Sequence, residues 1–228
     1  MRFRLINTTR RYEDSPLRNE LMASRNHKGY SLLEMIITVS IAMILAGVTF
    51  ISLEPMLNQN HTSSAYDTTL MALRNTRNLA ITQSHEYYVT FTPSAAGVPG
   101  TILVQYQPPA VGAGLAPPLQ AVISYTIPAD VNFAVQAGFP ASTPDGFGTG
   151  VNAIDFESTP GVPLNYVVFF PDGSSQDSLG NYSSGVIYLT RPGDTIYSSR
   201  AVTLWGATGR IRGWRLNQIA GVATWVQQ

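Results

Sequence analysis

The chain has no cysteine among its 228 residues, which excludes disulfides, thiolate nucleophiles and cysteine-based metal centres. It has one lysine, Lys28, and charged residues make up only 12% of it, where soluble globular domains average about 25%. The signatures of hydrolytic enzymes are missing too: no H-E-x-x-H and no G-x-S-x-G is present. Of the three histidines, His27 falls in the basic N-terminal segment, and His61 and His85 have no carboxylate at metal-ligand spacing and read as surface residues. Asp155 and Glu157 share one strand face; they read as a solvated pair or a loop calcium site rather than a general acid–base pair. Gly146 to Gly150 mimics a nucleotide loop, but the following residues 151–156 read as strand and not helix, so the fingerprint fails in context. No catalytic residue, no metal and no cofactor is therefore expected.

What the chain does have is a long apolar run. Residues 35–53 contain no charged side chain, and at about 1.5 Å per helical residue the run approaches the roughly 30 Å hydrocarbon core of a bilayer. Ile36, Ile37, Val39, Ile41, Ile44, Leu45 and Val48 cover all sides of a helix wheel, the pattern of a helix buried in a membrane or an assembly. Residues 1–29 carry seven basic against three acidic side chains, a net of +4, and the remainder is net −4. The positive-inside rule keeps the basic segment in the cytoplasm and the rest of this single-pass chain beyond the inner membrane. Pro55 is expected to kink or interrupt the helix. A secretory signal peptide would need a shorter apolar core and a small-residue cleavage site beyond it, for which Gly47-Val48-Thr49 is a poor candidate. A plain signal anchor requires neither Gly29 nor Glu34.

The octet Lys28-Gly29-Tyr30-Ser31-Leu32-Leu33-Glu34-Met35 leads into that run. A carboxylate at the edge of a membrane-length helix is costly without a partner. Gly29, followed by Tyr30 and then by Glu34 at the fifth position of a new chain, resembles the signal of type IV pilin precursors. The resemblance implies cleavage between Gly29 and Tyr30 by prepilin peptidase, N-methylation of Tyr30, and pairing of Glu34 with the free amine of Tyr30 on its own or a neighbouring subunit. It also implies a leader over 1–29 and a transmembrane and assembly helix over 30–54. Tyr at the new first position, where Phe is commonest, and the long leader depart mildly from that pattern.

Beyond the membrane run, residues 55–84 keep helical spacing. Leu70, Leu73, Arg77 and Ala80 or Ile81 share one broad side, so an amphipathic helix is expected to pack on the domain C-terminal to it. Residues 58–68 lack strong apolar periodicity, and the helix is expected to be loose there. From 85 to 228 the chain is β-rich, with runs at 87–91, 102–106, 122–127, 131–135, 166–170, 186–190 and 201–205 set off by Gly and Pro. Residues 138–150 are Gly-rich and read as a loop. The fold class is α+β: a long N-terminal helix, its first half transmembrane, then an antiparallel β-sheet domain.

The succession Tyr166-Val167-Val168-Phe169-Phe170-Pro171-Asp172-Gly173-Ser174, then Val186-Ile187-Tyr188-Leu189, Arg200-Ala201-Val202-Thr203-Leu204 and Gly209-Arg210-Ile211-Arg212 resembles the GspH/FimT family of minor pilins and type II secretion pseudopilins. Residues 93–160 match no pattern of that family and read as variable decoration. The family implies assembly with other pilins at or near a filament tip. Gly209-Arg210-Ile211-Arg212 is similar to a GRxR motif that gives some FimT-type pilins affinity for DNA, which makes Arg210, Arg212 and Arg215 candidate phosphate contacts. Alternate strand residues face one way, so Arg210 and Arg212 would point out together, and a bend at Gly213 would let Arg215 join them. A solvated strand end is the plainer reading of the same arginines, and Trp214 beside them is either core or a base-stacking ring. Residues 195–228 hold four arginines and no acid, whereas residues 30–194 are net −8. A membrane-anchored β-domain receptor or adhesin that never polymerises is the reading from a different class.

Overall fold

A computed structural model describes residues 29–95, 97–109, 117–159 and 161–228, and over 50–59 the backbone alone. The leader and His27 lie outside the described residues. Two compact units divide after Ile51. The first is the N-terminal stretch of helix α1, Leu32–Gln83; the second contains the rest of α1 and the β domain. The chain is thus α+β, an apolar N-terminal helix followed by an antiparallel β-sheet domain. Helical structure runs through Pro55, so the proline does not interrupt the helix. Helices tolerate an interior proline when the freed carbonyl finds another partner, at a cost of about 3 kcal/mol.

The helix is also regular over 58–68, where looseness was expected. Its buried stripe is Thr62, Ala65, Thr69, Leu70, Ala72, Leu73, Thr76 and Ala80, a 3–4 spacing built partly from threonine. Thr69 and Thr76 turn their hydroxyls back onto the carbonyls of Ala65 and Ala72, at 2.8 and 2.7 Å. Each thereby presents mainly its methyl group to the core. Ile81, one of the two candidates for the inner face, is instead 40% exposed.

The described residues beyond the helix form ten strands: β1 Tyr87–Thr92, β2 Thr101–Tyr106, β3 Gln120–Thr126, β4 Asn132–Phe133, β5 Ile154–Glu157, β6 Tyr166–Phe169, β7 Ser184–Thr190, β8 Arg200–Trp205, β9 Arg210–Ile219 and β10 Val222–Gln227. They form a four-stranded sheet, β3-β2-β1-β6, and a second sheet, β10-β9-β8-β7-β4, in which β5 also pairs with β7. One core joins α1 (Ala65, Leu73, Ala80) to the first sheet (Val89, Phe91, Ile102, Val104, Phe169) and to the inner face of the second (Ile187, Leu189, Val202, Leu204).

Strands β7 and β8 are buried on both faces, as near-continuous apolar runs require. Their outer face carries a second core of Val186, Tyr188, Ala201, Leu216 and Trp225, against which Val135, Phe139 and Phe147 pack. Phe139 meets the Trp225 ring edge-on at 5.2 Å. The stretch 93–160 therefore supplies β2 to β5 and the cover of the second sheet, so it is structural and not only decoration.

Candidate functional site

Two regions carry chemistry. In the first unit, the apolar side chains are exposed around the whole helix, Leu32 at 78% and Ile41 at 52% among them. Its hydroxyls are satisfied within the helix: Thr38, Ser40 and Thr49 donate to the carbonyls of Met35, Ile36 and Leu45 at 3.0, 2.7 and 2.8 Å. Glu34 is the acid of the first turn, where a carboxylate complements the positive end of the helix dipole. No cation lies within 4 Å of it among the described residues. Gly29 and Tyr30 precede the helix and are exposed. Among the described residues one segment, Leu32–Thr49, is long and apolar enough to cross a membrane.

In the second unit, the arginines fall into three environments. The β8–β9 register pairs Trp205 with Arg210, Thr203 with Arg212 and Arg200 with Arg215, without a shift. Arg210 and Arg212 do share the outer face. Arg215 is on the inner one, because Gly213 does not bend the strand. Gly213 instead makes room for Tyr66 of α1: a Cβ built there would sit within van der Waals overlap of its hydroxyl.

Arg212 is not free on its face. Nη1 donates to Asp145 Oδ1 at 2.5 Å, and the guanidinium lies 5.8 Å from the Trp205 ring centre. Asp145 comes from the Gly-rich segment, is 5% exposed at its side chain, and also accepts a 2.6 Å hydrogen bond from Thr203 Oγ1. Its backbone is left-handed, φ 55°. Trp214 is half-buried in the outer core and donates Nε1–H to Thr203 Oγ1 at 3.0 Å, so its ring is a packing element.

Arg210, the first residue of β9, is exposed and lines a groove together with two arginines of α1. A groove of about 460 Å³ is lined by Arg74, Arg77, Asn78, Thr208, Gly209, Arg210 and Ile211. Arg77 is anchored there, Nε donating to the Gly173 carbonyl at 3.0 Å and Nη2 to the Thr208 carbonyl at 3.1 Å. Arg74 and Arg210 are exposed, and the groove contains no acid. The groove brings arginines of α1 and β9 to one opening, and guanidinium is the group that suits planar oxyanions. Sequence reasoning missed Arg74 and Arg77 as members of this cluster; their helical 3-residue spacing was the available signal.

The remaining titratable groups are structural. His61 Nδ1 and Arg191 Nε both contact Asp130 Oδ2 at 2.8 Å. Partial burial works against ionisation of Asp130, but those two hydrogen bonds hold its carboxyl below the usual range. Asp155 is fully buried and accepts hydrogen bonds from the amide and hydroxyl of Thr149 at 2.8 and 3.1 Å. It pins the Gly-rich loop to β5. Glu157 accepts from the Gly161 amide. Among the described residues no group of three acids or histidines could hold a metal.

Residues 24–50 match the prokaryotic N-terminal methylation motif. No curated protein and no solved structure matches the chain. The motif, with the apolar helix that follows Glu34, supports a type IV pilin-like or pseudopilin-like protein: a membrane-anchored precursor of the kind processed by prepilin peptidase and assembled with other pilins. Such a protein is structural rather than catalytic.

Proposed function

We propose that this chain is a minor pilin or pseudopilin of the GspH/FimT kind. It is cut between Gly29 and Tyr30, N-methylated on Tyr30, held in the inner membrane by residues 30–54, and drawn into a type IV pilus or type II secretion pseudopilus, at or near its tip. Its β domain lies on the periplasmic or extracellular side. One observation carries the reading. Glu34 is an acid in the first turn of a helix whose N-terminal stretch is apolar and exposed on every side, and a charge entering an apolar bundle requires a partner. The amine of a newly cut Tyr30, on the same or an adjacent subunit, supplies one. Mass spectrometry of the mature chain tests the cut: a methylated Tyr30 terminus is expected. An intact Met1, the state of a non-polymerising receptor, or a cut beyond Phe50 refutes it. Glu34→Ala should leave cleavage intact and remove the chain from filaments.

A second observation favours DNA as a ligand of the assembled filament. The exposed Arg210 of the Gly-Arg-x-Arg segment stands with Arg74 and Arg77 around an acid-free groove. Of the three arginines expected from sequence, Arg210 leads; Arg212 is paired with Asp145, and Arg215 faces the helix. Three phosphate contacts give a log–log salt slope of about −3, a weak grip at physiological salt that several subunits together would strengthen. The double variant Arg74→Gln/Arg210→Gln should reduce that slope by about 2. Unchanged affinity and slope would dismiss the DNA reading and leave the pilin reading standing.

A further inference from the structure

Arg200 and Arg215 face each other across the β8–β9 ladder, on the side covered by α1. Arg200 is 7% exposed. Its Nη1 donates to the carbonyls of Ser198 and Ser199 at 2.9 and 3.4 Å, and its Nη2 reaches Ser63 Oγ at 3.4 Å. Arg215 is half-buried, and its Nε is fully buried with no acceptor. Thr62, next to Ser63 on the buried side of α1, has a hydroxyl without a partner. Among the described residues no carboxylate oxygen lies within 4 Å of either guanidinium.

This arrangement is costly as it stands. Like charges directly opposite in an antiparallel pair repel, and a buried cation whose acceptors are neutral recovers only part of the solvation it loses. Burial, then the Arg215 charge, push the Arg200 guanidinium below its usual range, while Tyr66 and Asp67 act the other way. Asp67 is the acid facing the pair, and its side chain is exposed outside the 4 Å range of an ion pair. Proteins keep buried arginines where a planar two-oxygen acceptor completes them, because the guanidinium fork matches a carboxylate edge. The half-exposure of Arg215 gives such a group a way in.

We propose that Arg200 and Arg215, where α1 crosses β8 and β9, form a carboxylate-binding site. It is filled by an acidic side chain of a neighbouring filament subunit or by a free small acid. The first source rests on the filament reading above; the chemistry of the site does not.

The test uses the full chain in detergent micelles, melted in sodium acetate or in sodium chloride at equal ionic strength and followed by tryptophan fluorescence. Acetate at tenfold its dissociation constant should raise the melting temperature by about 3–6 °C. Arg215→Gln should abolish this rise, and Arg210→Gln, in the separate groove, should retain it. A wild-type chain indifferent to acetate, or an Arg215→Gln chain that responds as the wild type does, overturns the site. The second arm measures Arg215→Gln in filaments sheared from cells. Incorporation reduced more than tenfold assigns the carboxylate to a neighbouring subunit, and unchanged incorporation assigns it to a free acid. If the wild-type chain enters no filament, the filament reading fails while the acetate result still decides the site.

Discussion

Gly209 offers a demanding test of how the helix, the β6–β7 connection and β9 fit together. It opens the Gly-Arg-x-Arg segment with a left-handed backbone, φ 59°, and a Cβ built on it would overlap the Gly173 carbonyl oxygen and approach Arg77 Nε to 2.5 Å. Two penalties add in Gly209→Ala. The left-handed conformation costs a residue with a Cβ about 1–2 kcal/mol, and forcing a methyl group into a filled site costs about 1–3 kcal/mol more. Pushing Arg77 aside also weakens its hydrogen bonds to Gly173 and Thr208. A total of about 2–5 kcal/mol corresponds to roughly 4–20 °C in melting temperature for a unit of this size. Gly180 supplies the control: its φ is 85°, but nothing lies within 4 Å of its Cβ position, so Gly180→Ala should show only the backbone penalty. Gly209→Asn adds discrimination, since Asn tolerates the left-handed region yet still overlaps the carbonyl; it should still melt clearly below the wild-type chain, through the overlap alone. The assay is tryptophan fluorescence melting of the full chain in micelles, reported by Trp205, Trp214 and Trp225 in the second sheet. If Gly209→Ala melts within about 2 °C of Gly180→Ala, the close approach of Gly173 and Arg77 is wrong.

The same geometry sets three further outcomes. Asp145→Ala leaves Arg212 without its counter-charge and should cost about 2–4 kcal/mol by denaturant unfolding, below the cost for a fully buried pair because the Arg212 side chain is 22% exposed. Gly213→Ala should destabilise by about 1–3 kcal/mol through Tyr66, and adding Tyr66→Ala should recover part of that loss in a double-mutant cycle; strict additivity would place Tyr66 elsewhere. Asp130 has a depressed folded-state pKa, so its contribution is complete above the ordinary carboxylate range near pH 4 and is lost as pH falls through the folded value. Unfolding free energies of Asp130→Asn between pH 2 and 6 should therefore show less acid-side decline than those of the wild-type chain.

The anchor and the Glu34 signal were legible because their chemistry lies in one contiguous segment, where spacing alone carries the meaning. The strands were legible wherever β-branched and aromatic runs stood between Gly and Pro. The helix over 58–68 was misread because its inner face uses Thr62, Ala65 and Thr69, and a threonine bonded to its own helix buries like a small apolar residue without looking like one. The 138–150 segment read as a bare loop, since nothing local in Pro144-Asp145-Gly146-Phe147 shows that it caps a sheet.

The arginines show the limit most clearly. Strand alternation placed Arg210 and Arg212 on one face, but their fates were decided by residues distant in sequence: Asp145, 67 positions before Arg212, and Arg74 and Arg77 on the helix. The sequence division into an acidic body and a basic C-terminal stretch therefore does not survive folding as a basic patch. Asp145 neutralises one arginine of the motif, and α1 covers Arg200 and half-covers Arg215. The exposed positive charge that remains joins Arg210 of β9 to Arg74 and Arg77 of α1. Any anion recognised there must touch the helix and the sheet at once, so its affinity should respond to changes that shift α1 on β9, such as Gly213→Ala, as well as to loss of the arginines themselves.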